Sequence, residues 1–199
     1  KLNLNFIDHK KNNFKILSHN FQGESQILKI KYDNSIKLVK LNLIGKIQLK
    51  NLLMAIIAAK ESNLILNKIF EIIPKIKPVE GRFQIIGKIK NGSIVILDYA
   101  HTPEALKTCL LNLREQFPFK KISLLFGCGG NRDKNKRSMM GAVADKYCDT
   151  IYLTDDNPRL ENPNLIRNQI KKGIKDKDFF EIPSRAKAIL KAINDLKSG

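Results

Sequence analysis

The sequence predicts an α/β protein: a mostly parallel sheet with flanking helices, preceded by antiparallel strands and two helices. Two observations predict this class. Early in the chain, short strand-like segments follow one another directly, whereas later apolar runs alternate with helical patterns. Between the two regions, residues 73–82 (IPKIKPVEGR) contain two prolines and a glycine, which favours a boundary. We therefore expect one domain over residues 1–78 and a second over residues 79–199.

The first region is predicted to contain antiparallel strands and two helices. Three strand-like segments cover residues 14–17, 25–32 and 35–43. Asp33 and Asn34 separate the last two, as is typical of a hairpin turn. Apolar residues at helical spacing then predict one helix from Gln48 to about Ser62 and another over residues 66–73, before a proline.

The second region is predicted to be Rossmann-like, because four short apolar runs are each followed by a turn signal and a helical pattern. These runs are residues 93–98, 122–127, 150–154 and 179–182. Thr102, Asn162 and Ser184 each stand where a helix needs a capping side chain, and the first two precede a proline. The sequence therefore predicts βαβ units around a buried parallel sheet.

Composition excludes several classes of protein. The net charge of +17 is compatible with nucleic-acid binding. However, the lysines are scattered and no aromatic-flanked basic stripe occurs, so the overall composition of the sequence explains the charge better than a nucleic-acid site does. The three cysteines are far apart, which favours reduced thiols over a disulfide framework or a metal site. No apolar run is long enough to span a membrane. We expect a cytoplasmic monomer that binds no nucleic acid, and an incomplete chain because it starts at Lys1.

Three polar stretches follow the predicted strands, namely residues 98–104 (DYAHTPE), 126–138 (FGCGGNRDKNKRS) and 154–159 (TDDNPR). The carboxyl ends of parallel strands meet at one edge of a sheet, where ligands bind. Each stretch alone has an ordinary explanation: a turn histidine at His101, a tight glycine turn, a solvated helix start at residues 133–137, or a capping turn before Pro163. Their shared position predicts a ligand site.

Four ordered motifs give the sequence a family resemblance. They are GRFQ (81–84), LDYAHTPEAL (97–106), LLFGCGGNRDKNKRSMMGAVA (124–144) and LTDDNPRLENP (153–163). In this order and spacing they resemble the C-terminal domain of the Mur ligase family, and DNPR is typical of its diaminopimelate-adding members. Residues 19–25 and 43–59 are similar to the end of the family's central ATP-binding domain. The resemblance covers nearly the whole chain.

The resemblance implies an ATP-dependent amide ligase of peptidoglycan precursor synthesis. ATP phosphorylates the γ-carboxylate of D-glutamate in UDP-N-acetylmuramoyl-L-Ala-D-Glu, and the amine of meso-diaminopimelate attacks this acyl phosphate to form an amide. Mg²⁺ would neutralise phosphate charge. The implied small molecules are therefore the nucleotide-linked dipeptide, meso-diaminopimelate and ATP with Mg²⁺.

The resemblance also assigns the amino-acid site. It implies that Arg159 and Arg132 hold the distal carboxylate of meso-diaminopimelate, while Asp156 and Asn157 hold its ammonium group. A guanidinium can donate two parallel hydrogen bonds to a carboxylate. Lysine lacks this carboxylate, so two cations would be left without their anion.

For ATP, the resemblance implies Asn51 near the adenine, Arg82 at the phosphates, and Asp98 and His101 at the ribose and base. Gln48 stands where the family usually has asparagine, so its adenine contact is an open question. No catalytic residue or metal ligand is assigned within this chain.

The sequence lacks the family's phosphate loop, its carbamoylated-lysine segment and a domain for the UDP-sugar. We therefore expect an internal fragment that is inactive alone. Two alternatives within the same chemistry are a lysine-adding ligase and another Mur or folylpolyglutamate-type ligase. An alternative from a different class is a basic nucleotide- or nucleic-acid-binding module.

Overall fold

The computed structural model describes residues 14–32 and 35–196. The contacts within the chain divide it into two compact units, Lys1–Gln84 and Ile85–Gly199. This division falls a few residues after the predicted boundary at 78/79.

The first unit contains a three-stranded antiparallel sheet of β1 (Phe14–Gln22), β2 (Ser25–Tyr32) and β3 (Ser35–Leu41), in that order. The predicted antiparallel strands are confirmed, although β1 extends beyond the predicted residue 17. Tyr32 pairs with Ser35 across the second hairpin. The turn predicted at residues 33 and 34 lies outside the described residues.

Two helices cover one face of this sheet. They are α1 (Lys46–Glu61) and α2 (Leu66–Ile72), and a 3₁₀ turn (Ile73–Lys75) follows. Alternate strand residues face the same side, so the sheet and the apolar stripe of α1 share one core. Its members include Leu28, Ile30, Val39, Leu41, Leu49, Leu53, Ile56 and Phe70. Gln26, fully buried, donates from Nε2 to the Leu43 (2.7 Å) and Gly45 (3.1 Å) carbonyl oxygens, which fixes the turn into α1.

A strand that the sequence analysis missed begins at Gln84, where the two units divide. β4 (Gln84–Lys88) pairs with β5 (Ile94–Leu97) in a two-stranded sheet. The Ile89 N–H donates to the Ser93 carbonyl oxygen (2.9 Å). So short a connection joins antiparallel strands, since parallel ones need a long crossover. The expectation that residues 93–98 belong to the parallel sheet is therefore wrong: the chain reverses at residues 89–93 and pairs locally.

The remaining strands form the predicted parallel sheet. β6 (Ser123–Phe126), β7 (Thr150–Leu153) and β8 (Phe179–Glu181) are parallel, with β7 in the centre. Four helices, each after a strand, are α3 (Pro103–Gln116), α4 (Asn135–Tyr147), α5 (Pro163–Lys171) and α6 (Arg185–Asp195). The core between sheet and helices includes Leu106, Leu110, Phe126, Met140, Ala144, Ile151, Leu153, Ile166 and Ile170.

The predicted helix caps are confirmed. Thr102 accepts a hydrogen bond from the Ala105 amide, and Asn162 accepts one from the Asn164 amide. Ser184 caps α6 in the same way. These caps satisfy amide groups that the first turn of a helix leaves without partners. Among the described helices, none combines the length and the apolar character needed to cross a membrane.

Candidate functional site

Two loops leave neighbouring parallel strands at the same edge of the sheet. The glycine loop (residues 127–134) joins β6 to α4, and the DNPR loop (residues 154–162) joins β7 to α5. The Thr154 N–H donates to the carbonyl oxygen of Phe126, the last residue of β6 (3.0 Å), and the Gly130 N–H donates to the Asn157 carbonyl oxygen (2.8 Å), which connects the two loops. The parallel register therefore brings both predicted motifs into contact.

The glycines allow this contact through their size. A Cβ atom on Gly127 would lie 2.3 Å from the Thr154 carbonyl oxygen, and one on Gly130 would lie 1.8 Å from that of Pro158. Neither glycine has a positive φ. The glycine stretch is thus more than a tight turn, because it lets two backbones approach where any side chain would collide.

Arg159 and Arg132 lie on these two loops. Arg159 has a φ of 51°, and its Nη1 donates to the Gly130 carbonyl oxygen (2.7 Å). Arg132 is exposed and makes no hydrogen bond or ion pair with any described residue. The residue before it, Asn131, accepts a hydrogen bond from the Leu160 amide (3.3 Å), next to Arg159. The structure therefore brings together the segments that carry both predicted carboxylate ligands.

Asp156 and Asn157 shape the DNPR loop itself. Asp156 Oδ1 accepts from the Asn157 amide (2.6 Å), and Asn157 Oδ1 accepts from the Arg159 amide (3.2 Å). Arg185 lies 3.9 Å from the second Asp156 oxygen. These are the contacts of an Asx-type turn, yet both side chains are exposed and an oxygen can accept a second hydrogen bond.

An ion pair between a buried arginine and a half-buried glutamate was missed by the sequence analysis. Arg137, on α4, is fully buried, and Nη1 and Nη2 each donate to one Glu161 carboxylate oxygen (both 2.9 Å). The same guanidinium donates to Gln169 Oε1 (2.6 Å) and the Gly129 carbonyl oxygen (3.2 Å). The ordinary explanation of residues 133–137 as a solvated helix start therefore does not apply to Arg137.

A signal for Arg137 was present in the sequence. The buried face of α4 consists of Arg137, Met140, Gly141 and Ala144, at the spacing i, i+3, i+4 and i+7. A charged residue at the start of an apolar stripe must have a partner inside the protein. The stripe predicts burial, although the partner, Glu161, follows a different strand.

The charges of this pair reinforce each other. The hydrogen bonds from Arg137 and from the Asn131 amide lower the pKa of Glu161 to about 2. The hydrogen bond to Glu161 raises the pKa of Arg137 above its ordinary value. Both groups consequently remain ionised near neutral pH.

A second missed network holds the start of the DNPR loop. Arg167, a mostly buried residue of α5, forms ion pairs with Asp155 and with Glu181 (2.8 Å). Lys171 also pairs with Glu181 (2.8 Å). Asp155 directly precedes Asp156, so these contacts tie the loop to α5 and β8.

The nucleotide candidates of the second unit lie together after β5. Asp98 accepts a hydrogen bond from the Ala100 amide (2.9 Å). His101 is exposed, with its Nδ1 3.2 Å from the Tyr99 carbonyl oxygen. Lys136, on α4, donates to the His101 carbonyl oxygen (2.9 Å), which connects this loop to the helix that follows the glycine loop.

The nucleotide candidates of the first unit are also neighbours. Gln48 Nε2 donates to the Arg82 carbonyl oxygen (3.0 Å), and Asn51 Nδ2 donates to Gln48 Oε1 (3.5 Å). Gln48 therefore links Asn51 and Arg82, which are both exposed. An adenine contact for Gln48, and an ATP role for all four nucleotide candidates, stay predictions. Within residues 14–32 and 35–196, no cluster of three His, Cys, Asp or Glu side chains could hold a metal ion.

Known proteins resemble this chain in sequence. The family model "Mur ligase, glutamate ligase domain" matches residues 81–199. A relative from Rickettsia typhi, named UDP-N-acetylmuramoyl-L-alanyl-D-glutamate--2,6-diaminopimelate ligase, is 39% identical over 200 residues, covering 94% of this chain and 40% of its own length. A relative of the same name from Fusobacterium nucleatum subsp. nucleatum is 40% identical over 166 residues, covering 83% of this chain and 34% of the relative. The chain thus spans about two fifths or less of these relatives.

Solved structures agree in fold. A structure of UDP-N-acetylmuramoyl-L-alanyl-D-glutamate--2,6-diaminopimelate ligase superposes with a TM-score of 0.71 at 29% identity, covering 97% of this chain and 39% of the other. Mycobacterium tuberculosis folylpolyglutamate synthase complexed with ADP has a TM-score of 0.69 at 17% identity, covering 92% of this chain and 41% of the other. At this identity the likeness is one of fold alone. Since the family model covers more than half of its residues, the chain belongs to the Mur ligase family.

Proposed function

We propose that the full-length protein is an ATP-dependent amide ligase that adds meso-diaminopimelate to UDP-N-acetylmuramoyl-L-alanyl-D-glutamate. The observation that carries this proposal is the hydrogen-bonded pair of loops, which places Arg132 and Arg159 on adjoining segments at one edge of the parallel sheet. The names of the curated relatives support the same reaction.

In this proposal the two loops bind the zwitterionic end of meso-diaminopimelate that does not react. One nitrogen of Arg159 is held by the Gly130 carbonyl oxygen, so the rest of its planar guanidinium is oriented for a carboxylate. Arg132 supplies a second cation for the same group. Asp156 and Asn157 supply oxygen acceptors for the ammonium.

The other end of the amino acid would carry the reacting amine. ATP supplies the phosphoryl group that converts the γ-carboxylate of D-glutamate into an acyl phosphate, from which the amine displaces phosphate as the amide bond forms. The loops contribute by orienting the amine for this attack. No residue of this chain is assigned to Mg²⁺ in this proposal.

For ATP, we propose that Arg82 contacts phosphate and Asn51 the adenine edge, while Asp98 accepts from ribose hydroxyls and His101 stacks on the base. The chemistry of each side chain supports its role. Asp98 is oriented by its hydrogen bond to the Ala100 amide, and His101 is exposed for stacking.

The paired arginines distinguish this reaction from that of a lysine-adding ligase. Lysine has no second carboxylate, so binding it would leave both guanidinium groups without an anion. A site built for a polar group rejects analogues that lack the group more strongly than it rejects those that differ by a methylene. Selectivity for meso-diaminopimelate over lysine is therefore the property to measure.

The test uses protein expressed from the full reading frame and compares kcat/KM for meso-diaminopimelate and L-lysine in wild type and Arg159→Ala. We expect the variant to lose roughly 30-fold to 1000-fold with meso-diaminopimelate, because a charge-assisted contact is removed. The loss with L-lysine should be several-fold at most, since lysine cannot make this contact.

Arg114→Ala is the matched control. Arg114 also donates to a backbone carbonyl oxygen, that of Lys120 (2.9 Å), but this contact lies at the opposite end of β6. We expect it to leave the ratio of the two substrates unchanged. Equal losses for both substrates in Arg159→Ala would contradict the proposed recognition of the second carboxylate.

A further inference from the structure

The Arg137–Glu161 pair has no part in the proposed binding site. Arg137 is fully buried, so no ligand can reach its guanidinium. Its four hydrogen bonds all go to protein groups: the two Glu161 oxygens, Gln169 and the Gly129 backbone. Any effect on substrate must therefore act through other residues.

The pair contacts the residues that flank both substrate-binding arginines. Glu161 Oε1 accepts from the Asn131 amide (2.5 Å), and Asn131 directly precedes Arg132. Glu161 itself lies two residues after Arg159 on the DNPR loop. On the other side, Arg137 holds the Gly129 carbonyl oxygen of the glycine loop (3.2 Å). One ion pair is thus bonded to both loops.

The backbone at these positions needs such support. Asn131 and Arg159 both have a φ of 51°, in the left-handed region that non-glycine residues seldom adopt. Such residues keep this conformation only where their surroundings impose it, and they concentrate at ligand-binding sites. The Glu161 carboxylate restrains Asn131 directly through its amide, and Asn131 in turn holds the Leu160 amide beside Arg159.

We propose that Arg137 and Glu161 are positioning residues that set the separation and aim of Arg132 and Arg159, and thereby the preference for an amino acid with a second carboxylate. This inference rests on the proposed function, because it concerns the same amino-acid site. An ion pair with a buried partner contributes little net stability compared with apolar packing, and in some proteins such a pair specifies one geometry.

The test variant is Glu161→Gln. An amide keeps the size of the side chain but replaces one acceptor oxygen with an NH₂ donor. In place of Oε2 that donor would face Arg137 Nη1, and in place of Oε1 it would face both Arg137 Nη2 and the Asn131 N–H, so at least one bond between helix and loops is lost in either orientation. Buried donors without acceptors shift the backbone around them.

Asp149→Asn is the matched control. Asp149 Oδ2 accepts from Arg114 Nη2 (2.8 Å) and from the Ile122 amide (2.7 Å), which is the same combination of arginine and neighbouring backbone. This pair lies at the opposite end of the parallel sheet, before β6 and β7. The Asp149→Asn variant therefore measures the effect of a carboxylate-to-amide change on activity and stability at a position that contacts no substrate-binding loop.

The assay measures KM and kcat for meso-diaminopimelate and L-lysine with protein from the full reading frame, alongside thermal unfolding. We expect Glu161→Gln to lower kcat/KM for meso-diaminopimelate roughly 10-fold to 100-fold, mainly through KM, because displacement of binding groups by about 1 Å has effects of this size. The kcat/KM for L-lysine should decrease less. Asp149→Asn should leave kcat/KM unchanged for both amino acids. An equal effect on both substrates, or an effect matched by Asp149→Asn, would overturn the proposal.

A double-mutant cycle separates positioning from general stability. If Glu161 acts through the arginines, Glu161→Gln should add less than about 3-fold to the loss already caused by Arg132→Ala and Arg159→Ala together, because effects on a shared contact are not additive. Losses that multiply in full would refute the positioning role. Should Glu161→Gln fail to fold, Glu161→Asp, which keeps the charge and shortens the reach, enters the same cycle with the same expectation.

The two proposals fail in different ways. Wild-type protein that does not ligate meso-diaminopimelate contradicts the proposed function and, with it, this inference. Wild-type protein that is selective and loses selectivity in Arg159→Ala, while Glu161→Gln retains it, contradicts only the positioning role.

Discussion

Replacement of Gly130 by alanine tests the contact on which the candidate site depends. The added Cβ would lie 1.8 Å from the Pro158 carbonyl oxygen and 2.6 Å from its carbonyl carbon. Both atoms are backbone, so neither can rotate away as a flexible side chain would. Because Gly130 does not have a positive φ, the substitution introduces a collision without conformational strain.

The size of the effect follows from this geometry. Relief of the collision requires the two loops to separate. This separation would lengthen the hydrogen bond from the Gly130 N–H to the Asn157 carbonyl oxygen (2.8 Å) and the one from Arg159 to the Gly130 carbonyl oxygen (2.7 Å). Overpacking of this kind costs about 1 to 3 kcal/mol. For a chain of this length, that corresponds to a Tm lowered by roughly 2 to 12 °C.

The assay is thermal unfolding by circular dichroism, with Gly87→Ala as control. A Cβ atom on Gly87 would have nothing within 4 Å, so we expect its Tm to match that of wild type. In the ligation assay, Gly130→Ala should also lose selectivity for meso-diaminopimelate, since it displaces the backbone that holds Arg159. If Gly130→Ala proves as stable and as selective as Gly87→Ala, the two loops do not touch as described.

Two further outcomes are expected. Burial raises the pKa of Cys128 to about 11 and the pKa values of Cys109 and Cys148 to about 12. Ellman's reagent at pH 8 should therefore react slowly with these thiols in the native protein and rapidly after unfolding. Fast reaction of any of them in the native protein would contradict their burial. The pKa of Glu161 is lowered from 4.5 to about 2, so its ionised form stabilises the fold above about pH 4.5, and this stabilisation should disappear as the pH falls from 4.5 towards 2. Urea unfolding should show that the free energy of unfolding decreases less across this pH range for Glu161→Gln than for wild type. Identical decreases in the two proteins would argue against the Arg137 contact.

Much of the fold follows from local patterns. The period-two segments of the first region, the alternation of short apolar runs and helices in the second, and the caps at Thr102, Asn162 and Ser184 all depend on residues close together in sequence. Such patterns express backbone preferences that each segment has by itself. The misplaced strand, β5, shows the limit: an apolar run predicts a strand, but not its partner, which here is β4.

The candidate site shows the same division. The residues of the motifs and their order along the chain are sufficient to predict a resemblance to Mur ligases and to select Arg132 and Arg159. The contact between the loops is not encoded in either motif alone, since it arises only when β6 and β7 pair in parallel register.

The sequence by itself thus determined most of the segments that become strands and helices, the three capped helix starts, and which polar stretches follow strands. Only the tertiary structure decided that Gly130 must lack a side chain and that Arg137 is buried against Glu161. The physical reason is the difference in sequence separation. Helical and strand periodicity depend on residues close together in the chain. The partner of a buried charge comes from a distant segment that core packing brings within hydrogen-bonding distance.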